Sequence, residues 1–352
     1  MSPMEAKMIT QRQFGEIDGQ PVRLFTLTRD TGLRVEVSEF GAAVTSILTP
    51  DRNGVLDDIV LGYPNLEGYV SDPYYFGATL GRCSNRITGT DLSLGEKSVH
   101  LSRNEGAFHL HGGVRGFNKH CWHGTPAGEH TVVFQRLSPD GEEGYPGNLQ
   151  VSVSYTLTED SLVIVYTGVC DRDTILSLSN HSYFQLSGQG SGKDVRGQEL
   201  TVFADFFTEI DTDCACTGAI LPLTELGCVP REATRLGEVL ASDRSQLVLG
   251  SGLNHTVFVK HRDRPTAELY DPESGRVLEV TTTQPGLHLY SGNYLPEVTG
   301  KGHYVPYGAM CFETQTPPNA VLFPHFPSPV LPAGTLYQQR TEYRFSVRDG
   351  CM

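Results

Sequence analysis

Two ionisable residues in the second half of the chain could exchange protons with a small ligand. His181 lies in the segment 180–184, just before a Gly-rich stretch, and Glu313 lies between an apolar run at 309–312 and a Pro-rich loop. A histidine of ordinary pKa, about 6.5, can hold a proton at neutral pH, and a carboxylate in a partly dry position can act as a base. The pair predicts acid–base catalysis. Two other interpretations stay open: His181 as a hydrogen-bonded core residue, and Glu313 as a carboxylate that caps backbone amides of the next loop.

A second pair of histidines, His109 and His111, is the first feature to test as a metal site. In an alternating strand both side chains would face the same side, as the ligands of one metal must. Cupin-like sites add a carboxylate a few residues later, whereas the residues that follow here are Gly-Gly-Val-Arg-Gly-Phe-Asn. We therefore expect no metal.

The elements that must position these residues are predicted to be strands. Short runs of β-branched and aromatic residues alternate with polar ones, and each run is closed by Gly, Pro, Asn or Asp. The predicted strands are 22–28, 33–38, 44–48, 58–62, 131–136, 149–158, 162–167, 174–179, 200–204, 256–260, 267–270, 276–282, 286–290 and 342–347. Helical signals are few, and the clearest predicts a short helix at 235–240 capped by Thr234. Because strands do not alternate with helices, the chain is predicted to be all-β, a large antiparallel β-sandwich with few short helices.

The composition favours one globular domain over residues 1–352, since no repeat, low-complexity tract or linker divides the strand-rich halves. The formal net charge of -14 disfavours nucleic acid and anionic membranes, which select clustered Lys and Arg. No apolar run approaches the roughly 18 residues of a membrane span, and residues 1–7 contain no signal-peptide h-region. We therefore expect a soluble, cytoplasmic protein. The eight cysteines are scattered, and we interpret the CxC of Cys214 and Cys216 as buried or loop thiols.

A series of short motifs also runs along nearly the whole chain. In order they are Phe40-Gly41-Ala42, Asp57-Asp58-Ile59-Val60-Leu61-Gly62, Tyr75-Phe76-Gly77, Gly81-Arg82 with Asn85-Arg86-Ile87, Leu110-His111-Gly112-Gly113, the segment 138–147, Asn180-His181-Ser182-Tyr183-Phe184, Gln284-Pro285-Gly286 and Glu313-Thr314-Gln315. Together they resemble the aldose 1-epimerase (galactose mutarotase) family. The resemblance implies a galactose mutarotase-like sandwich, an active site in its concave face without metal or cofactor, and interconversion of the α and β anomers of a free hexose, galactose or glucose.

The resemblance also implies roles for single residues. Glu313 matches the family's general base, which takes the proton from the C1 hydroxyl of the sugar, and His181 matches the general acid, which protonates the ring oxygen. His111 matches a residue that hydrogen-bonds around the ring oxygen and helps to stabilise the charge that develops there. Asn85, Arg86 and Gln284 fall on positions that line the sugar.

One position departs from the family pattern. Where the family has an Asp before a His, in a Gly-x-Asp-His pattern that binds a sugar hydroxyl, this chain has Asn254. The loss of a charge-assisted hydrogen bond puts the substrate in question more than the chemistry. Two alternatives therefore accompany the hexose isomerase: a same-fold isomerase or cyclisation catalyst for a non-hexose lactol, and a sugar-binding or sensing protein without turnover. The expected partner is a small sugar or sugar-like hemiacetal, bound by a monomer or weak dimer.

Overall fold

A computed structural model describes residues 9–95 and 97–349 of the chain. Its strands are, in chain order, β1 Ile9–Ile17, β2 Gln20–Thr28, β3 Arg34–Ser38, β4 Val44–Pro50, β5 Leu56–Asp58, β6 Thr79–Leu80, β7 Arg86–Ile87, β8 Asp91–Leu94, β9 Lys97–His100, β10 His109–Leu110, β11 His123–Pro126, β12 Thr131–Ser138, β13 Leu149–Leu157, β14 Ser161–Cys170, β15 Thr174–Ile175, β16 Ser179–Asn180, β17 Tyr183–Phe184, β18 Glu199–Val202, β19 Phe206–Ile210, β20 Cys216–Pro222, β21 Ala233–Arg235, β22 Asn254–Phe258, β23 Ala267–Tyr270, β24 Arg276–Thr282, β25 Gly286–Tyr290, β26 Val298–Thr299, β27 His303–Tyr304, β28 Met310–Gln315, β29 Val330–Leu331 and β30 Tyr337–Val347.

Helices are short in the described part of the chain. They are α1 Leu66–Ser71, α2 Leu236–Leu240 and α3 Ser245–Gly250, with 3-10 turns at Phe117–Lys119, Glu142–Gly144, Val195–Gly197 and Leu223–Leu226. None of the helices among residues 9–95 and 97–349 is long and apolar enough to cross a membrane. The predicted helix at 235–240 is confirmed as α2, but its predicted cap is wrong: the N-cap residue is Arg235, and its side chain makes no capping hydrogen bond.

Three sheets make up most of the fold. The first has the order β1-β2-β3-β4-β5, the second β11-β12-β13-β14-β30-β24-β23-β18-β21, and the third β17-β28-β25-β22-β19-β20. Neighbouring strands in all three sheets run antiparallel. In the nine-stranded sheet, β30 lies between β14 and β24, with Ser161 opposite Arg344 in the register of β14 and β30.

The three sheets share one hydrophobic core. Strand β13 shows how the sequence builds it, because its alternate residues from Leu149 to Leu157 are buried while those between them are partly or fully exposed. The same apolar cluster contains Phe25 of the five-stranded sheet, Leu278 of the nine-stranded sheet and Leu287 of the six-stranded sheet. The chain is therefore an all-β fold of packed antiparallel sheets, as the sequence predicts.

The six-stranded sheet has a second, polar face. On β25 and β28 the core side carries Leu287, Leu289 and Phe312, so period-two alternation places His288 and Glu313 on the opposite side. The register pairs His288 with Glu313 across the two strands. This face forms the floor of the site described below.

Two of the predicted strands are largely wrong. The segment 174–179 forms only the two-residue strand β15 and the first residue of β16, and the segment 58–62 contributes only the end of β5. Both segments are apolar because their side chains are buried, as Leu176, Leu178 and Val60 are, and not because the backbone belongs to a long ladder. A buried connecting segment and a buried strand share the same composition.

Candidate active site

Glu313 lies at the centre of the polar face, on β28, and its side chain is 2 % exposed. Its Oε1 is 3.7 Å from Nε2 of His181, and its Oε2 is 4.0 Å from Nδ1 of His111. Oε2 has no hydrogen-bond partner among the described residues. The carboxyl group therefore faces both predicted histidines without being tied to backbone amides, so it does not have the loop-capping role that the sequence left open.

His181 follows β16 directly, so the prediction that it comes at the end of a strand holds although that strand is only two residues long. Its ring lies between those of Tyr75 and Tyr183, with ring centroids 6.0 Å and 4.8 Å away and interplanar angles of 10° in both cases. Its backbone N–H donates to the carbonyl oxygen of Ala78. The two aromatic faces fix the plane of the imidazole, which leaves Nε2 directed at the carboxyl group.

His111 is held by a reciprocal contact with Asn85. The backbone N–H of Asn85 donates to Nδ1 of His111 at 3.2 Å, and the backbone N–H of His111 donates to the carbonyl oxygen of Asn85. Both residues adopt positive φ, 51° for His111 and 63° for Asn85. Because Nδ1 accepts a hydrogen bond, a neutral His111 carries its own proton on Nε2 and is a donor there.

The loop that carries Asn85 is anchored by the buried guanidinium of Arg82. It donates to backbone oxygens of residues 138, 139, 146 and 147 and to the hydroxyl groups of Ser138 and Thr174. The guanidinium is thus occupied by residues 138–147 and Thr174, and Arg82 does not line the cavity. Arg82 therefore positions the loop, and the neighbouring Asn85 and Arg86 are the residues that reach the site.

Arg86 carries a fixed positive charge at the site. Its Nε and one of its terminal nitrogens each donate to Glu105 at 2.6 Å, which is a bidentate ion pair. The pair holds the guanidinium in place at the rim. Its field favours a negative charge on Glu313.

Asn254 begins β22 and is buried. Its Oδ1 lies 2.9 Å from Nε2 of His288, whose Nδ1 lies 2.9 Å from Oγ1 of Thr256. The structure therefore places the residue that departs from the family pattern at the end of a chain of hydrogen bonds within the sheet.

Gln284 is the one predicted site residue that the structure places elsewhere. Its Nε2 donates to the carbonyl oxygen of Leu178 and to the hydroxyl group of Tyr337, at 3.2 Å and 2.8 Å. It precedes β25 and does not line the cavity that the other residues enclose. A contact between Gln284 and a sugar is therefore not part of the site, because its amide already bridges two buried segments.

The predicted site residues other than Gln284 line a cavity of about 270 Å³. That volume suits a ligand of monosaccharide size, since pockets for larger organic ligands start at about 300 Å³. The lining combines ionisable, amide and aromatic side chains: Pro73, Tyr74, Tyr75, Asn85, Arg86, Leu110, His111, His181, Tyr183, Asn254, His288, Tyr290, Tyr294 and Glu313. Aromatic faces beside polar hydrogen-bonding groups match the two kinds of surface that a sugar ring presents.

Burial favours the uncharged forms of Glu313, His181 and His111. It raises the pKa of Glu313 to about 8, against a smaller opposing effect of Arg86. Burial also lowers the pKa of His181 to about 3 and holds the pKa of His111 well below its ordinary value. Near pH 7 these shifts favour a protonated carboxyl group and two neutral imidazoles.

The same three residues are the set that a metal would use. One ligand atom from each of His111, His181 and Glu313 lies within 4.8 Å of the others. However, Nδ1 of His111 already accepts the backbone N–H of Asn85, so its lone pair is not free for a cation. The absence of a metal from the reaction stays a prediction, and chelation tests it directly.

The predicted geometry of the histidine pair His109 and His111 is wrong. The strand β10 ends at Leu110, and the positive φ of His111 turns its side chain into the cavity. His109 points away from the cavity, where its Nδ1 contacts the carbonyl oxygen of Ser102 and its Nε2 contacts the hydroxyl group of Tyr145. The two rings therefore do not share a face.

Sequence reasoning missed His288, Thr256 and the tyrosines Tyr75, Tyr290 and Tyr294. A signal for the first was present, because His288 interrupts the apolar strand 286–290 and stands two residues from Tyr290. The period-two rule places both on one face, opposite Leu287 and Leu289. Tyr75 and Tyr294 lie in loops, where no periodicity assigns a direction to a side chain.

The fold and the site together define an acid–base enzyme for a small polar ligand, built on an antiparallel β-sandwich. The chain belongs to the aldose 1-epimerase family, because the family model of that description matches residues 23–344.

Several known proteins are similar over their full length. The chain is 39% identical to galactose mutarotase of Rattus norvegicus over 348 residues, covering 96% of this chain and 99% of the relative. It is 35% identical to aldose 1-epimerase of Haemophilus influenzae over 344 residues, covering 96% and 100%. The crystal structure of galactose 1-epimerase from Lactobacillus acidophilus superimposes with a TM-score of 0.86 at 26% identity, covering 98% and 100%. These likenesses confirm the galactose mutarotase-like fold.

Proposed function

We propose that this protein interconverts the α and β anomers of a free hexose, galactose or glucose, by acid–base opening and reclosure of the ring. The observation that carries the proposal is the buried pair of Glu313 and His181, whose Oε1 and Nε2 lie 3.7 Å apart in the wall of a monosaccharide-sized cavity. That separation leaves room for the oxygens of a ligand to contact both groups. Full-length likeness to galactose mutarotase and aldose 1-epimerase supports the same reaction.

Glu313 and His181 share one transferable proton. A protonated Glu313 with a neutral His181, and a carboxylate with an imidazolium, contain the same number of protons, so one form converts to the other without exchange with solvent. Burial alone favours the form in which both groups are neutral. A bound sugar adds hydrogen bonds, and Arg86 favours the carboxylate, so we propose that the ion-pair form is populated in the complex.

In the ring-opening step the Glu313 carboxylate accepts the proton of the C1 hydroxyl, and His181 donates a proton to the ring oxygen as the C1–O bond breaks. The product is the open-chain aldehyde, which can rotate about C1–C2. Closure on the other face reverses both proton transfers, so the pair returns to its starting form. We propose that neutral His111 donates its Nε2–H to the oxygen on which charge develops.

The remaining proposed contacts orient the sugar. We propose that the free amide nitrogen of Asn85 and the guanidinium of Arg86 bind hydroxyl groups at one side of the cavity, while Asn254 binds at the opposite side, on β22. The Oδ1 of Asn85 accepts the backbone N–H of Arg86, which leaves its nitrogen for a ligand. No contact among the described residues favours the two alternatives, a non-hexose lactol or a site without turnover.

The experiment that tests this proposal is polarimetry of freshly dissolved α-galactose and α-glucose with wild type and Glu313→Gln. We expect the amide variant to fold and to lose mutarotase activity by roughly 100-fold or more, the scale of a general base. Glu268→Gln is the matched control, since Glu268 pairs with Arg348 at the surface of β23. A near wild-type rate in Glu313→Gln would remove this residue from the mechanism.

We also propose that the protein is cytoplasmic, acts without a nucleic-acid partner or a metal, folds as one domain and is a monomer or weak dimer. The acidic net charge supports the lack of a nucleic-acid partner. The core cluster that runs from Phe25 to Phe345 supports one domain. Every cysteine among residues 9–95 and 97–349 is a free thiol, which suits a reducing compartment.

A further inference from the structure

Asn254 and His288, which line the cavity, form a continuous series of hydrogen bonds with Thr256, which does not line it. Thr256 and His288 face each other across β22 and β25, and Asn254 stands two residues before Thr256 on the same face of the sheet. Oγ1 of Thr256 lies 2.9 Å from Nδ1 of His288, and Nε2 of His288 lies 2.9 Å from Oδ1 of Asn254. All three side chains are buried.

Which atoms donate in these hydrogen bonds follows from the hydroxyl group of Thr256. Its hydroxyl is buried and makes its one hydrogen bond, within the described part of the chain, to Nδ1 of His288. If Nδ1 carried the ring proton, the hydroxyl proton would have no acceptor, which a buried site does not tolerate well. Thr256 is therefore the donor, and Nδ1 of His288 is the acceptor.

The donor and acceptor roles of His288 and Asn254 are then determined. Burial, followed by the nearby His255, Arg86 and His181, holds the pKa of His288 well below its ordinary value, so the ring is neutral and has one N–H. That N–H is on Nε2 and donates to Oδ1 of Asn254. The oxygen of the amide is thereby used inside the wall, and its NH₂ group is the part of Asn254 left for the cavity.

We propose that Asn254 acts on the substrate as a hydrogen-bond donor, and that Thr256 and His288 are positioning residues that hold its amide in this orientation. A carboxylate at this position would require a donor from the sugar, whereas the amide requires an acceptor. A hydroxyl group satisfies either. The proposal rests on the proposed function and extends its substrate class to aldoses that carry an acceptor-only group, such as a fluoro, ether or carbonyl substituent, at the carbon facing Asn254.

Paired sugar analogues test this polarity. Steady-state mutarotation is measured for galactose and glucose and for their deoxy and deoxyfluoro analogues at C2, C3, C4 and C6. At one carbon we expect the deoxy sugar to raise KM about tenfold while the fluoro sugar keeps KM within about threefold, because fluorine accepts but cannot donate. In Asn254→Asp the KM of the fluoro sugar at that carbon should be as high as the KM of the deoxy sugar.

Two outcomes would overturn the proposal, and they differ from failure of the proposed function. If wild type turns over the parent hexoses but treats each fluoro sugar like its deoxy partner, Asn254 is not a donor. If no parent hexose is turned over, the proposed function fails, and ¹⁵N NMR of the His288 ring decides the proton direction without any substrate. Protonated Nε2 and bare Nδ1 are expected, and the reverse tautomer overturns the proposal.

The positioning role has its own variants. Thr256→Val keeps the shape of the side chain but removes the donor, so the amide of Asn254 can flip, and the preference for the fluoro sugar over its deoxy partner should disappear with kcat less affected than KM. Thr256→Ser should restore the preference. The matched control is Thr208→Val, a buried threonine of β19 that does not line the cavity. A Thr256→Val enzyme with an unchanged fluoro preference would show that Thr256 is only structural.

Discussion

The carboxyl group of Glu313 links the chemistry of the site to the stability of the fold. Its folded pKa is raised from the ordinary value of 4.5 to about 8 because the group is buried. Between those two pH values the folded protein keeps the proton that the unfolded chain has lost. The free energy of unfolding therefore decreases as pH rises through this window, by at most about 1.4 kcal/mol per pH unit from this one group.

The comparison of wild type with Glu313→Gln isolates that effect, because glutamine does not titrate. We expect the variant to gain stability relative to wild type as pH rises from about 5 to about 8, and the difference to level off beyond that. His181, with a pKa lowered by burial to about 3, contributes the opposite slope below its ordinary value of 6.5, and it does so in both proteins. Urea titrations at a series of pH values measure the difference. A difference that does not change with pH would show that Glu313 titrates normally.

Replacement of His181 should reduce kcat more than replacement of His111. His181 is assigned a proton transfer and His111 a hydrogen bond, so we expect His181→Asn to reduce kcat by roughly 100-fold and His111→Asn by roughly tenfold. His303→Asn serves as the control, since its side chain is 60 % exposed. Activity of all these proteins should be insensitive to EDTA. Activity that is lost on chelation and regained with added metal would assign the three central residues to a cation instead.

At the scale of the element, sequence patterns succeeded best in the middle of the nine-stranded sheet, whereas β19, inside the six-stranded sheet, was missed. Strands β12 and β13 were predicted to within two residues of their ends, because each has one buried face and a clear period of two. The strands β1 and β20 were missed, and both are at the edge of their sheets. An edge strand buries few side chains, as the mostly exposed β20 shows, so its sequence has no alternation to detect.

The sequence also predicted part of the candidate site, namely the residues that a local pattern or motif identifies. Spacing alone suggested Glu313 and His181, and the family resemblance added His111, Asn85 and Arg86. The partner of Asn254 could not be predicted, because its contact with His288 depends on the register between β22 and β25. Register is set by sheet pairing between segments about thirty residues apart and leaves no local motif.

The loop that turns His111 into the cavity depends on the glycine after it. Gly112 has φ of 95°, and a Cβ there would lie 1.7 Å from the backbone oxygen of Gly81. Gly128 has a similar φ of 87° with open space around it, so Gly128→Ala measures the conformational cost alone. We expect Gly128→Ala to cost about 1 kcal/mol and Gly112→Ala at least twice that, with mutarotase activity reduced only in the latter. Denaturant unfolding and polarimetry of both variants check this, and equal losses would mean that the close approach relaxes freely.

At the scale of the whole molecule, charge favours separate chains. The net charge of -14 makes copies repel one another. We therefore expect sedimentation velocity to give a mass near 38.6 kDa at micromolar concentration. A mass of twice that value at every concentration tested would contradict a monomer or weak dimer.

The position of β30 in the nine-stranded sheet has a consequence for how the protein is made. Its two neighbours, β14 and β24, precede it in the chain, so a polypeptide growing from its N-terminus holds two half-sheets with a gap between them. Until residues 337–347 leave the ribosome, both halves expose unpaired backbone at the edges that β30 will join. The ladder with β14 joins residues that are far apart in sequence, a topology that folds slowly. Nascent chains that stop before residue 337 should therefore keep these two edges unpaired and be held by chaperones.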